Sequence, residues 1–251
     1  YALNCGTPLA TQLLARDTMI RGHVPFGYLL EAHRNEMREF RAIVLPEIEC
    51  MSEAEARDIA AYVRGGGGLL VLGANCGRYS EFRRVHRRNA LTSRLGVEWS
   101  DASSAFTARV GRGRVAFLPQ LVSPEGAPAE LAKDDKVEKQ SFYWGLRADR
   151  WRPPINGAEM LRLLEWAAGG YHFDAVVPDT VVMEFIRQRK LKRHLIQLVN
   201  FELARDVGAL EIRCRLNVRR AQAFTPDGKV PKVDVARDVH GMAVVRVAGF
   251  R

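Results

Sequence analysis

Two four-residue runs without a polar side chain, Ala42-Ile43-Val44-Leu45 and Leu69-Leu70-Val71-Leu72, constrain this chain more than any other feature. Runs so short and so apolar read as strands buried on both faces, the habit of parallel sheets with helices above and below. What lies between them agrees. Pro46 stops the first run, and Ser52 with Glu55 forms an S-x-x-E capping box, in which each side chain satisfies a backbone donor at a helix start. Ala56, Ile59, Ala60 and Val63 then fall on one side, and Gly65 to Gly68 supplies the left-handed termination that a β-carbon penalises. A right-handed crossover is the expected connection between such strands. Residues 42–73 therefore read as one strand-helix-strand unit of an open α/β domain.

The flanking sequence extends that domain. Thr7 caps a helix with Leu9, Leu13, Leu14, Met19 and Ile20 on one face, ended by Gly22. Val24 to Leu30 is expected as a strand entered through a bend at Pro25 and Gly27, Glu36 to Phe40 as a brief turn of helix, and Leu91 to Leu95 as helix. Ala105 to Leu118 reads as two strands around Gly111-Arg112-Gly113. Asn156 or Gly157 opens a helix through Met160, Leu161, Leu164 and Trp166, with Trp166 on its buried face, and Gly169-Gly170 stops it. Pro119 to Pro154 shows no periodicity and is long for a loop in a compact domain, which marks it for function. From Val176 the pattern turns to β: Val181 to Ile186 and His194 to Val199 flank a basic turn, and Leu210 to Leu216, Arg220 to Phe224 and Met242 to Val247 add short strands. This divides the chain into an α/β domain over 1–170 and an antiparallel β-sandwich over 176–251, linked by Gly169 to Pro178.

Composition narrows the function. In 251 residues, 38 Lys+Arg face 29 Asp+Glu, a net charge of +9. Such a surplus invites a nucleic-acid partner, because clustered cations release counterions from phosphates. Yet the clusters, Arg83 to Arg88 and Arg187 to Arg193, carry none of the interleaved aromatics of a strand binder and read as solvated faces. No nucleic acid is expected, and no membrane, since no apolar run approaches a span. Cys5, Cys50, Cys76 and Cys214 are too scattered for a zinc site or a disulfide framework and read as reduced or buried thiols. The histidines show no metal-ligand spacing, so no metal or cofactor is expected. Residues 1–6 show no secretory leader, a cytoplasmic setting is favoured, and a start without Met suggests a piece of a longer chain.

Ligands of open α/β sheets bind beyond the carboxyl ends of the parallel strands, which singles out Glu47 and the Asn75-Cys76-Gly77 turn. Cys76 is the candidate nucleophile, with His172 as its base. Class I glutamine amidotransferases place that cysteine on a G-x-C-x-G elbow served by an H-x-E pair. Here Gly73-Ala74-Asn75-Cys76-Gly77 sets the cysteine one place late and His172-Phe173-Asp174 only echoes the pair, so a plain structural cysteine is the simpler account. Glu47, Glu49, Glu53 and Glu55 lie close enough in sequence to suggest paired acids, but the last two begin a helix, where acids suit the dipole. The glycine run precedes a strand and lacks a Lys-Ser/Thr ending, which excludes a phosphate loop. Trp144 and Trp151, in the long irregular segment, are candidates for stacking on a sugar ring.

Taken in order, "FRAIVLPEIECMSEAEARDIAAYVRGGGGLLVLG", "GRGRVAFLP", "MLRLLEWAA" and "RHLIQLVNF" resemble the middle and carboxy-terminal parts of family 42 glycoside hydrolases, the bacterial beta-galactosidases and their uncharacterised relatives. The resemblance implies an open, mostly parallel sheet of flavodoxin-like, class I glutamine amidotransferase-like type that has lost its catalytic triad and mediates trimer formation, followed by a small β-sandwich domain. It implies partners in further copies of the chain and in a preceding catalytic barrel, which would carry the family's catalytic acids, so no catalytic residue transfers to these positions. The expected function is assembly and accessory support in a carbohydrate-active enzyme. A cysteine-dependent hydrolase using Cys76 and a carbohydrate-binding module using Trp144 and Trp151 are the alternatives.

Overall fold

A computed structural model describes residues 7–124, 153–171, 173–201 and 206–249. The chain divides into two compact units, one of residues 1–18 and 28–170, the other of residues 19–27 and 171–251.

In the first unit, helix α1 (Thr7–Arg21, whose last residues belong to the second unit) is followed by a 3-10 segment, Glu31–Glu39, kinked at His33. Strand β1 (Ala42–Pro46), helix α2 (Glu53–Arg64) and strand β2 (Gly68–Leu72) then form the expected unit, with β1 and β2 parallel and Ala42 opposite Gly68. The capping box is complete: Glu55 N–H donates to Ser52 Oγ at 3.2 Å, and Ser52 N–H donates to Glu55 Oε2 at 2.7 Å. Helix α3 (Ala90–Leu95) is capped by Asn89, whose Oδ1 accepts from Leu91 and Thr92 N–H. Strands β3 (Phe106–Val110) and β4 (Gly113–Leu118) form a hairpin, and β4 runs parallel to β2, giving the sheet order β1-β2-β4-β3 with β3 the antiparallel edge. Helix α4 (Gly157–Ala168) ends at Gly169 in the left-handed conformation.

Alternation along β2 and β4 divides the core between two faces. Leu69, Val71, Val115 and Phe117 join Ile59, Val63, Leu91, Leu95 and Trp99 under α2 and α3. Leu70, Leu72, Ala116 and Leu118 lie on the opposite face, where α4 packs with Met160, Leu163, Leu164 and Ala167 buried. Trp166, expected on that buried face, is only half-buried and lies under the Arg114 guanidinium. The helical period gives the inner positions to Leu163 and Ala167 instead.

The glycine run does more than end α2. Gly65 at the C-cap is right-handed (φ −72°), and the positive φ falls on Gly66 (118°). Gly68 is there for space: a β-carbon on it would lie 2.2 Å from the Ala167 carbonyl oxygen, at the end of α4. Gly113 is tighter still, its β-carbon position 1.9 Å from Val63 O.

In the second unit, strands β5 (Phe173–Val176), β8 (Leu210–Cys214), β9 (Val233–Arg237) and β10 (Ala243–Val247) make an antiparallel sheet in the order β5-β8-β10-β9. Strands β6 (Val181–Gln188) and β7 (Arg193–Asn200) form a separate hairpin. Phe173, Met183, Ile212, Cys214, Ala243 and Val245 form one core, where the Phe173 and Phe185 rings stand 4.1 Å apart. Residues 19–27 join this unit through His23, whose Nε2 lies 2.9 Å from Val181 O and 3.2 Å from Pro178 O.

Several expectations fail here. Val24 to Leu30 is irregular, because Pro25 has no N–H to donate and no neighbouring strand pairs with the segment. Arg220 to Phe224 is likewise unpaired. The segment 169–178, expected as linker, contains β5, and β9 forms without a sequence signal because Asp234 and Arg237 dilute its apolar pattern.

Ser52→Ala is expected to lose about 1 kcal/mol of stability and Gly68→Ala about 3 kcal/mol, through overpacking against the α4 carbonyl. Both are read as shifts of the urea midpoint at constant slope. A Gly68→Ala loss no larger than that of Ser52→Ala contradicts the close approach.

Candidate functional site

The carboxyl ends of β1, β2 and β4 meet at Glu47, Gly73 and Pro119, the place where an open sheet of this kind would hold a ligand. Glu47 N–H donates to Leu72 O at 2.7 Å, and Gly73 N–H donates to Leu118 O at 3.0 Å, so the loops leave the sheet already tied to the neighbouring strand. Glu47 has φ 51°, one of four non-glycine residues in the left-handed region among those described. Backbone held there costs of order 1–3 kcal/mol and persists only where its surroundings over-determine it. The surroundings here are specific. Glu47 is 6% exposed, and its Oε2 accepts from the Thr11 hydroxyl of α1 at 2.8 Å. The Asn75 side chain is a further hydrogen-bond partner. Burial raises the Glu47 pKa above the ordinary glutamate range and the nearby Glu49 charge adds to this, while the bonds from Thr11 and Asn75 oppose it.

Gly73, at φ 89°, leaves the room that Glu47 occupies: a β-carbon on it would lie 2.8 Å from Glu47 Cγ. The turn that follows is pinned from several directions. Gly77 N–H donates to Ile48 O at 2.8 Å, and Cys76 O accepts from Asn89 Nδ2 at 2.6 Å and Trp99 Nε1 at 3.3 Å. Asn75 Oδ1 accepts from Arg78 Nη1 at 3.0 Å.

Cys76 is fully buried, inside the core cluster with Trp99 and Phe117. Burial pushes its thiol up to about 12, so it is protonated at neutral pH and has no path to a substrate. A nucleophile elbow strains the nucleophile's own backbone. Here the positive φ values fall on Gly73 and Gly77 and on Glu47, not on Cys76. His172, Trp144 and Trp151 lie outside the described residues. Of the sequence candidates, the structure thus brings together Glu47, Asn75 and Cys76. It adds Thr11, Asn89 and Trp99, whose roles depend on contacts across 36, 13 and 23 residues that no local pattern signals. Among the described residues no group of His, Cys, Asp and Glu is arranged to hold a metal ion, and no helix is long and apolar enough to cross a membrane.

The fold and the tied-down crevice define a class: an α/β unit with a mixed sheet, followed in sequence by antiparallel β-sheets, with the carboxyl ends of its parallel strands covered by its own side chains. Beta-galactosidases are among the solved proteins with this fold. The chain is similar to a catalytic mutant of Gan42B, a GH42 beta-galactosidase from G. stearothermophilus, at 11% identity and a TM-score of 0.51, over 95% of this chain and 36% of that one. It is also similar to the beta-galactosidase of Bacillus circulans sp. alkalophilus, at 10% identity and a TM-score of 0.56, over 99% of this chain and 38% of that one. The chain thus spans little more than a third of the length of these enzymes. No family model matches the sequence, and no curated protein matches it.

Site-resolved alkylation should find Cys76 modified at least about tenfold more slowly in the folded protein than in the unfolded one, as for a buried, protonated thiol. Modification faster than that of free cysteine would contradict the burial and restore the hydrolase reading.

Proposed function

We propose that this chain is a non-catalytic assembly and accessory region of a carbohydrate-active enzyme, a beta-galactosidase-like glycoside hydrolase whose catalytic barrel lies outside these residues. In this reading the first unit is a flavodoxin-like, amidotransferase-like domain that has kept its scaffold and lost its chemistry. The observation that carries the reading is the extent of the structural match: 99% of this chain, α/β and β parts together, aligns with a 38% share of a beta-galactosidase. The closed crevice supports the non-catalytic half of it. Glu47 fills the room that a ligand would need, Cys76 is buried, and the turn between them is bonded to the backbone of Ile48 and the side chain of Asn89.

The partners in this reading are further copies of the same chain, as a trimer, and the catalytic barrel. Light scattering on the full-length protein at micromolar concentration is expected to give the mass of a trimer. A strict monomer contradicts the assembly role.

A further inference from the structure

At the opposite end of the sheet from Glu47, a recess of about 1380 Å³ opens between the 3-10 segment, the end of α2 and the β3–β4 turn. Five arginines line it, Arg34 and Arg38 from the 3-10 segment, Arg41 just before β1, Arg112 from the turn and Arg114 from β4; the acids on its wall are Glu31 and Asp58. The arginines differ in what already occupies them. Arg41 donates through Nε to Ala168 O at 3.0 Å, and Arg114 lies over the Trp166 ring, so both brace the end of α4. Asp58 is shared: its Oδ1 accepts from Arg57 Nε at 3.2 Å, while its Oδ2 lies 3.5 Å from Arg34 Nη1. That Nη1 is buried and has no hydrogen-bond partner among the described residues. Arg38 and Arg112 are exposed, and their guanidinium groups have no partner among the described residues. Arg34 is thus paired with Asp58, whereas Arg38 and Arg112 bring positive charge to the concavity without a counter-charge, an arrangement that an anion can complete with charge-assisted hydrogen bonds.

The floor is built for close contact. Gly65 to Gly67 present backbone without side chains, and the Tyr62 ring lies flat on Gly67, where a β-carbon would stand 2.2 Å from the ring. Tyr62 spends its hydroxyl on Phe40 O at 3.1 Å. The recess exceeds the roughly 300–1,000 Å³ of a small-molecule site and suits a short polymer. The wall lacks the row of aromatics on which successive bases of a single strand would stack.

We propose that this recess binds an anionic oligosaccharide, its carboxylate or sulfate groups held by Arg38 and Arg112. The glycan identity rests on the carbohydrate-enzyme reading above; the anion preference rests on the arginines alone. The test is calorimetric titration of the full-length protein at about 0.15 M ionic strength with three hexasaccharides: oligogalacturonate, a sulfated galactan fragment and neutral galactan. Saturable binding of one or both charged sugars is expected, the stronger naming carboxylate or sulfate, with none of the neutral one. R38Q/R112Q should weaken it about tenfold or more, while R219Q/R220Q, which removes equal charge from exposed positions outside the recess, should leave it within about twofold. If the double variant fails to fold, R38Q alone serves, since Arg38 is exposed and unbonded.

No saturable binding of either charged sugar overturns the proposal, as does equal weakening by the two double variants. Tighter binding of a single-stranded DNA dodecamer, lost in R38Q/R112Q, assigns the recess to nucleic acid instead. A trimer that binds no charged glycan defeats this inference alone, whereas a glycan-binding monomer defeats the assembly reading and leaves the recess standing.

Discussion

Strand β2 can exist only if both of its faces are covered, since Gly68 to Leu72 has no exposed residue. Each large apolar side chain so covered contributes roughly 1.5–3 kcal/mol, but the covering is possible only because glycine stands at each end of the strand. At its start Gly68 admits the Ala167 carbonyl, so α4 can close down on one face. Just past its end Gly73 admits the Glu47 side chain, so the loop after β1 can fold over the strand tip. The first approach closes the core and the second fills the ligand crevice. One buried strand thus accounts both for the closing of the core and for the side chain that covers its carboxyl end.

Electrostatics at that tip follow from the same packing. A buried carboxyl without a cation is tolerable when it is hydrogen-bonded, and Glu47 has Thr11 and Asn75 for this. A cysteine beside it, without a cation and within the core, is driven to the neutral thiol. Part of the chain's surplus positive charge lies at the amino ends of the strands, where five arginines line an open recess. The two ends of the sheet differ: one is consolidated by hydrogen bonds around Glu47 and the Cys76 turn, and the other is open and lined by arginines.

Much of the fold was legible because its signals are local. The apolar runs, the Ser52–Glu55 box and the Gly111-Arg112-Gly113 turn each specify an element within a few residues, and β1, α2, β2, β3 and β4 follow. Val24 to Leu30 misled because an apolar run specifies a strand only if a neighbour is there to pair with it. Strands β5 and β9 were hidden because half-buried positions alternate with Asp174, Asp234 and Arg237, which dilute the apolar count. The site was legible in position but not in state. The strand ends pointed to Glu47 and Cys76, yet nothing near them in sequence reveals that Thr11, 36 residues away, binds the acid, or that Trp99 and Asn89 hold the cysteine turn.

That Glu47 is a buried structural acceptor, and not a group waiting for a ligand, is the central claim, and its titration tests it most directly. A carboxyl whose pKa is higher in the folded than in the unfolded state gives full stability below the ordinary glutamate value, 4.5. That stability is lost as the pH rises through the raised value, because the unfolded chain releases the proton first. Glu47→Gln keeps the acceptor for Thr11 and cannot ionise. Urea unfolding of both proteins at about pH 4.5 and about pH 8 should therefore show the variant gaining stability relative to the parent at the higher pH. A difference that does not change with pH, or one that turns towards the parent at pH 8, would mean an accessible or paired carboxylate and an open crevice.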